Sequence, residues 1–230
     1  MITLLLATRN AHKVAEIRAL LGVEFCCLSL EDFPNAPEVI EDAETFAGNA
    51  TKKAVELARW LDTVHASRFT VQVSPLFVLA DDSGLQVDAL GGAPGVHSAR
   101  FAALETGKPG NSPDVDNNAK LLRLLATTPV EKRTARFQCV LALAPVNIGR
   151  IESASPVCYA DEFELATQLF EGSCEGRIQF APRGAGGFGY DPLFVPDGFA
   201  ESFAELGEDN KHRLSHRARA LEKLKIALAA

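Results

Sequence analysis

Short continuous apolar runs alternate along the chain with segments of helical periodicity. The first run covers residues 2–7, and in the segment Ala11–Leu21 the apolar residues recur at the spacing of one helix face. A polar turn, residues 8–10, separates the two segments. This order predicts a buried strand, a loop and a helix. Loops of that kind present backbone N–H groups and a positive dipole end, which suit phosphate.

The same pattern continues through the rest of the chain. The further strands are predicted at residues 25–29, 76–80, 133–144 and 165–178. The further helices are predicted at residues 45–61 and 113–126, and from Ser215, as the N-cap, to residue 228. The segments 31–44, 62–75 and 145–164 and the glycine-rich loop 182–192 are predicted to be irregular. Because strands and helices intermix, the expected fold class is α/β with a mixed sheet.

Composition narrows the class of protein. With 230 residues, of which 47% are hydrophobic, the chain suits one large domain or two tightly joined lobes with a sizeable core. A formal charge of −7 argues against a general binder of nucleic-acid polymers but allows a small anion held by a few cations. No stretch approaches the ~20 apolar residues of a membrane span. The five cysteines form no CxxC pair, so we expect buried, reduced thiols in a soluble cytoplasmic protein.

Two adjacent carboxylates follow the predicted strand at residues 76–80. Asp81 and Asp82 would repel each other unless a cation lay between them, so they indicate a metal site, a functional acid or a plain turn. Glu41 lies in an acidic loop. Three carboxylates of this kind could hold one Mg²⁺ ion, which takes few protein oxygens and completes its shell with water and phosphate.

A set of cationic residues lies near predicted loop–helix junctions. Lys13, Lys53, Lys211, His216 and Arg217 are each compatible with an ordinary solvated surface charge. Most of them flank the ends of helices, where anions bind well. As a set, they predict a binding site for a phosphate chain.

The loop sequence GGFGYDP is the third candidate. Its glycines would let the backbone approach a flat ligand closely, and Phe188 or Tyr190 could stack on a base. The alternative is a β-turn with Phe188 in the core. The chain has no P-loop motif, no Rossmann context for its glycines and no nucleophile elbow.

Five motifs together resemble a known family. In order along the chain they are LLLATRNAHKVAEI, TFAGNATKKA, LADDSGLQVDALGGAPGVHSARF, GGFGYDPLFVP and SHRARAL. They are similar to the inosine/xanthosine triphosphate pyrophosphatases, over residues 2 to about 225. The resemblance implies a single domain over 1–230, with a long central mixed sheet flanked by helices and two lobes enclosing an active-site cleft. It also implies a homodimer and Mg²⁺-dependent hydrolysis of ITP, dITP and XTP to the monophosphate and pyrophosphate.

The resemblance also implies residue roles. Asp82 is expected to be the catalytic base and a metal ligand, with Asp81 and Glu41 as the other ligands of Mg²⁺. Substrate contacts are expected from Thr8, Arg9, Asn10, Lys13, Lys53, Ser83, Phe188, Gly189, Tyr190, Asp191, Lys211, His216 and Arg217. Selectivity is expected at the purine 6-position, where an oxo group would accept a hydrogen bond from Arg217, His216 or a backbone N–H.

Two positions depart from the family pattern. Arg9 stands where many members have glycine, and Gly48 stands where many have glutamate. Two other functions remain open on the sequence. One is a pyrophosphatase for other modified nucleotides, and the other is a nucleotide-binding sensor without turnover.

Overall fold

The computed structural model describes residues 1–65, 75–107, 109–146, 164 and 166–229. The strands are β1 (Ile2–Leu6), β2 (Phe25–Ser29), β3 (Leu76–Val87), β4 (Thr134–Pro145), β5 (Gln168–Ile178) and β6 (Phe194–Pro196). The α-helices are α1 (Ala11–Leu21), α2 (Phe46–His65), α3 (Ala103–Thr106), α4 (Asp114–Leu124), α5 (Phe203–Leu214) and α6 (His216–Ala229). The predictions for residues 66–74, 147–163 and 165 lie outside the described residues.

The strands form one six-stranded sheet in the order β2-β1-β3-β4-β5-β6. β1 pairs in parallel with both β2 and β3, whereas β5 and β6 pair antiparallel. The sheet is therefore mixed and carries helices in its connections, which confirms the predicted α/β class.

The largest difference from the predicted elements concerns β3. The strand was expected to end at Ala80, but it continues to Val87. Asp81 and Asp82 therefore lie inside a strand and not in a turn after it, and both are buried. The strand continues through these polar residues because each carboxylate has a cationic partner, described below. α2 also continues past the predicted end at Leu61, and three short or irregular elements, α3, β6 and α5, were not predicted.

The chain divides into two compact units. Unit 1 comprises Met1–Asp82, Val140–Phe170 and Leu224–Ala230, and unit 2 comprises Ser83–Cys139 and Glu171–Lys223. In unit 1, Leu4, Leu5 and Leu6 of β1 are fully buried, and so are Ala50, Ala54 and Ala58 along one face of α2. In unit 2 the core is aromatic: the ring centroid of Phe194 lies 4.8 Å from that of Phe137 and 5.1 Å from that of Phe203.

The described cysteines agree with the prediction only in part. Four of them are free thiols; Cys139 and Cys174 are buried as expected, but Cys26 is exposed, because it lies on β2 at the edge of the sheet. Cys158 is outside the described residues. None of the described helices combines the length and the apolar character that crossing a membrane requires.

Candidate functional site

The loop between β1 and α1 has the cap geometry that its sequence predicts. Asn10 is the N-cap of α1, and its side-chain oxygen accepts hydrogen bonds from the backbone N–H groups of His12 (2.9 Å) and Lys13 (3.2 Å). Thr8 Oγ1 accepts from the N–H of Asn10 at 3.1 Å. The guanidinium of Arg9 donates to the carbonyl of Ala36 at 3.1 Å. The predicted strand–loop–helix is confirmed, and it places Lys13 in the first turn of α1.

Unit 1 brings together three carboxylates and two lysines that the sequence predicted for the site. Lys13 Nζ forms an ion pair with Asp81 Oδ1. Lys53 Nζ donates to the backbone carbonyl of Asp81 at 2.7 Å and lies 3.7 Å from Asp82 Oδ1 and 3.3 Å from Glu41 Oε2. Three acidic side chains from β3 and the loop before α2 therefore surround two ammonium groups from α1 and α2.

Asn49 completes this cluster, and sequence reasoning did not include it. Its amide nitrogen donates to Asp82 Oδ2 at 3.2 Å, and its oxygen accepts from the N–H of Ala43 at 2.9 Å. Asn49 precedes Lys53 by four residues on α2, so the two side chains lie on the same helix face. The four-residue spacing from Lys53 is the sequence feature that could have identified Asn49 as a member of the site.

Asp82 has the electrostatics of a proton acceptor. Burial raises the pKa of its carboxyl from the usual 3.8 to about 6; the charges of Lys53 and Lys13 oppose the rise, and that of Glu41 adds to it. The side chain is thus ionised at neutral pH, yet basic enough to take a proton from water. A pKa near the working pH is what general base catalysis requires.

The donor chemistry of the cluster fits a hard cation. Carboxylate oxygens are the ligands that Mg²⁺ prefers, and it completes its shell with water and phosphate. Because burial outweighs the lysines in setting the pKa of Asp82, additional positive charge there would be favourable. Among the described residues, however, no three acidic, histidine or cysteine side chains are arranged around a common metal position. Asp82 and Glu41 are the better candidates, because they share one lysine, Lys53, at 3.7 Å and 3.3 Å, whereas Asp81 forms a closer pair with a lysine of its own, Lys13.

Unit 2 begins at Ser83, directly after Asp82 on β3. The guanidinium of Arg217 donates to Ser83 Oγ at 3.0 Å, and Arg217 is only 1% exposed. His216 starts α6 and stacks on Phe137, with ring centroids 4.9 Å apart. Ser215 Oγ caps the helix by accepting from the N–H of Ala218, as predicted. Ser83 and Arg217, 134 residues apart, are thus held together.

The glycine-rich loop is organised by a buried ion pair. Asp191 Oδ2 accepts from Lys211 Nζ at 2.6 Å and from the N–H of Phe188 at 2.9 Å. Lys211 Nζ also lies 4.4 Å from the centre of the Phe188 ring, a cation–π contact. Phe188 is half-buried and not in the core, contrary to the turn alternative raised above.

The two aromatic residues of this loop have different environments. Tyr190 is 3% exposed and belongs to the unit 2 core, and its hydroxyl donates to the carbonyl of Ser98 at 2.9 Å. Burial raises the pKa of Tyr190. The Tyr190 ring therefore anchors the loop, and Phe188 is the aromatic whose ring retains accessible surface.

Two further residues that the sequence did not nominate contact the loop from α4. Asp114 Oδ2 accepts from the N–H of Gly189 at 2.6 Å, and Asn118 Nδ2 donates to the carbonyl of Gly189 at 3.0 Å. The contacts join residues 71 and 75 positions apart, and no short motif signals such a pairing.

Comparisons with known proteins agree over nearly the whole chain. The model of the Ham1 family matches residues 4–227. A protein of Desulforamulus reducens named dITP/XTP pyrophosphatase is 47% identical over 96% of this chain and 92% of its own length. One of the same name from Shouchella clausii is 44% identical over 96% and 94%. The solved structure of a HAM1 protein from Coxiella burnetii covers 100% of this chain and 99% of its own, with 33% identity and a TM-score of 0.75.

Proposed function

The chain belongs to the Ham1 family, and from that membership we propose that it hydrolyses non-canonical purine nucleoside triphosphates. The substrates are ITP, dITP and XTP, and the products are the nucleoside monophosphate and pyrophosphate. The substrate class comes from the name that its relatives carry. The single observation that carries the chemistry is the buried Asp82 carboxylate, whose pKa of about 6 suits a general base beside two lysines.

In the proposed reaction Asp82 accepts a proton from the attacking water. The oxygen of that water forms a bond to phosphorus, the phosphoanhydride bond breaks, and the bonding electrons leave with pyrophosphate. Asn49 holds the Asp82 carboxylate by one oxygen, which leaves the other oxygen for the proton. A positioned general base contributes typically ~10²–10⁴ in rate.

Lys13 and Lys53 are the proposed contacts of the phosphate chain. Both ammonium groups lie beside the carboxylates of Asp81, Asp82 and Glu41, close to the proposed catalytic base. Negative charge moves towards the leaving pyrophosphate during the reaction, so fixed cations stabilise the transition state more than the ground state. The loop before α1 is also proposed to contact the phosphate chain, through Thr8, Arg9 and Asn10.

Mg²⁺ is the proposed metal, held by Asp82 and Glu41 with Asp81 beside them, and it would neutralise phosphate charge when bound. The residues of unit 2 are proposed to contact the purine. Phe188 offers a stacking face, and Arg217, His216 or a backbone N–H would donate to a 6-oxo group but not to the amino group of adenine. A site built on hydrogen bonds can discriminate by ~10⁴ or more.

A substrate panel tests the proposed function. We expect pyrophosphate release from ITP, dITP and XTP to exceed that from GTP and dUTP, and EDTA to stop it. Preference for dUTP would favour the alternative of a pyrophosphatase for other modified nucleotides. Binding of ITP without release of pyrophosphate, with Mg²⁺ present, would favour the sensor.

Lys13→Ala tests the phosphate assignment. Loss of a charge-assisted hydrogen bond costs ~1.5–3 kcal/mol, so we expect binding of ITP to weaken about 10- to 100-fold while binding of inosine changes little. Isothermal titration with both ligands measures this. Lys52→Ala is the control, because it also removes a lysine that forms an ion pair, in this case with the exposed Asp42 of the loop before α2. Equal loss for ITP and inosine would remove the assignment.

The family resemblance also supports a cytoplasmic homodimer acting as a single domain over residues 1–230. Light scattering on the purified protein tests the dimer, with a mass of twice 24.7 kDa as the expected result.

A further inference from the structure

One residue of the glycine-rich loop has both of its backbone polar groups held by side chains of α4. Asp114 accepts from the Gly189 N–H at 2.6 Å, and Asn118 donates to the Gly189 carbonyl at 3.0 Å. Asp114 and Asn118 are four residues apart, so their side chains lie on one helix face. Gly189 has a φ of 64°, which other residue types seldom adopt. We refer to Asp114 and Asn118 together as the α4 clip.

We infer that the α4 clip sets the purine selectivity of the enzyme by fixing the backbone of the base-contacting loop. The inference rests on the proposed function and deepens it. Asp191 fixes the N–H of Phe188 and the clip fixes both groups of Gly189, so three hydrogen bonds hold two consecutive residues. Asp114 and Asn118 thus act as positioning residues.

Fixed backbone matters here because discrimination between a 6-oxo and a 6-amino group depends on the position of donors. A donor that can move adapts to either group and loses selectivity, whereas a preorganised donor leaves the wrong group unpaired. The Phe188 ring is carried by the same backbone. Releasing Gly189 would therefore loosen both the stacking face and the adjacent N–H groups.

The state of Asn118 supports a role beyond packing. Asn118 is 8% exposed, and its side-chain oxygen is buried without a hydrogen-bond partner in the described part of the chain. A buried acceptor without a partner lowers stability, and an apolar residue of similar size would avoid that loss. Among the described residues, the amide nitrogen of Asn118 donates to one group, the carbonyl of Gly189, and this hydrogen bond explains why an asparagine stands here.

The adjacent residue provides a matched control. Asn117 is also an asparagine on α4, is 2% exposed, and uses its side chain to hold Ala99, Ala102 and Ser112. Among the described residues, its side chain forms no hydrogen bond with the glycine-rich loop. Asn117→Ala and Asn118→Ala therefore remove the same group from the same helix and differ in the segment that they release.

The test compares kcat/KM for ITP and ATP in the two alanine variants of the full chain. Loss of one hydrogen bond predicts an ITP-to-ATP selectivity about three- to tenfold lower in Asn118→Ala. The change should come mainly from a higher KM for ITP, with kcat largely kept. Asn117→Ala should lose stability but keep the wild-type ratio. An equal fall for both nucleotides in Asn118→Ala, or an unchanged ratio, would overturn the inference.

The acidic half of the clip has its own control. Asp114→Ala should lower the selectivity ratio, and Asp114→Asn, which keeps an acceptor oxygen, should restore most of it. Asp116→Ala removes the same charge from the same turn of α4 and should leave the ratio unchanged, since Asp116 is exposed and the groups of α4 that bond Gly189 are those of Asp114 and Asn118. If Asp116→Ala lowered the selectivity to the same degree, the cause would be the lost negative charge at the start of α4 and not the hydrogen bond to Gly189. The role of the α4 clip would then be rejected.

Amide hydrogen exchange separates failure of the clip from failure of the proposed function. The Gly189 N–H should be protected in the wild type and in Asp116→Ala, and exposed to exchange in Asp114→Ala. Titration with inosine and adenosine then reports base selectivity without turnover. If the wild type releases no pyrophosphate from ITP, the proposed function fails, and these two measurements still decide the clip. Unprotected Gly189 in the wild type would overturn the clip even in an active enzyme.

Discussion

At the scale of the residue, the property that suits Asp82 to its proposed role as a general base also lowers stability. Burial raises the pKa of its carboxyl to about 6 against the opposing charges of Lys53 and Lys13, and the same burial penalises its charged form. Because its folded-state pKa lies above the usual 3.8, the folded state binds the proton more tightly than the unfolded state. The contribution of Asp82 to stability is therefore most favourable below pH 3.8 and is lost as the pH rises through about 6.

Asp82→Asn should abolish turnover while removing this pH-dependent loss. Between pH 5 and pH 8, the metal-free wild type should lose about 1 kcal/mol of unfolding free energy that the variant keeps. Urea denaturation in the presence of EDTA at the two pH values measures the difference. Asp116→Asn, at an exposed site of α4, should follow the wild type. Parallel profiles for wild type and Asp82→Asn would show that Asp82 is ionised in the folded state without penalty.

The partners of these residues were beyond sequence reasoning. The motifs nominated Asp81, Asp82, Lys13 and Lys53, and the structure places all four in unit 1. The specific pairs follow from tertiary packing: Lys13 reaches Asp81 across 68 residues of chain. Which carboxylate pairs with which lysine depends on strand register and helix rotation, and neither is encoded in a local pattern.

At the scale of the element, local patterns found most strands and helices but misplaced one critical boundary. The apolar run that predicted β3 ends at Ala80, whereas the strand extends to Val87 through buried polar residues. Helix α5 was missed because Gly207, with a φ of 76°, interrupts its helical backbone and its periodicity. The signal that could have found α5 is the capping box of Ser202 and Glu205.

Gly84 tests how the second half of β3 is packed. A Cβ added there would lie 2.6 Å from the carbonyl oxygen of Gly95 and would also meet Ser98 Oγ. That hydroxyl accepts from the N–H of Leu85 and donates to the carbonyl of Gly95. These hydrogen bonds hold the segment 95–100 against the strand, so the segment cannot move away to make room for a Cβ at Gly84. Gly84→Ala should destabilise the protein by about 1–3 kcal/mol, as overpacked sites do.

Chemical denaturation measures this loss. Gln86→Ala is the control on the same strand, because Gln86 is half-buried and its side chain has no hydrogen bond to any of the described residues. Its effect should stay within about 0.5 kcal/mol, as for most surface substitutions. If Gly84→Ala were as stable as the control, close packing would not be the reason for glycine at this position.

At the scale of the whole molecule, the net charge of the chain has the same sign as its proposed ligand. The chain carries −7 at pH 7, with an isoelectric point near 5.3, although its proposed ligand is an anion. Lys13 and Lys53 bring two positive charges into one cluster with three carboxylates, and the proposed Mg²⁺ ion would add the positive charge that a compact phosphate chain needs there. A nucleic-acid polymer needs a continuous basic surface, because its affinity grows with the number of phosphates that are neutralised.

We therefore expect the protein to distinguish a nucleotide from a polymer made of nucleotides. Fluorescence anisotropy of a labelled single- or double-stranded oligonucleotide in 0.15 M salt should show no saturable binding up to about 100 µM protein, the weak end of non-specific affinities. ITP turnover in the same buffer confirms that the preparation is active. Saturable binding that weakens steeply with salt would instead reveal a basic surface, and the action of the protein could then extend from free nucleotides to nucleic acid itself.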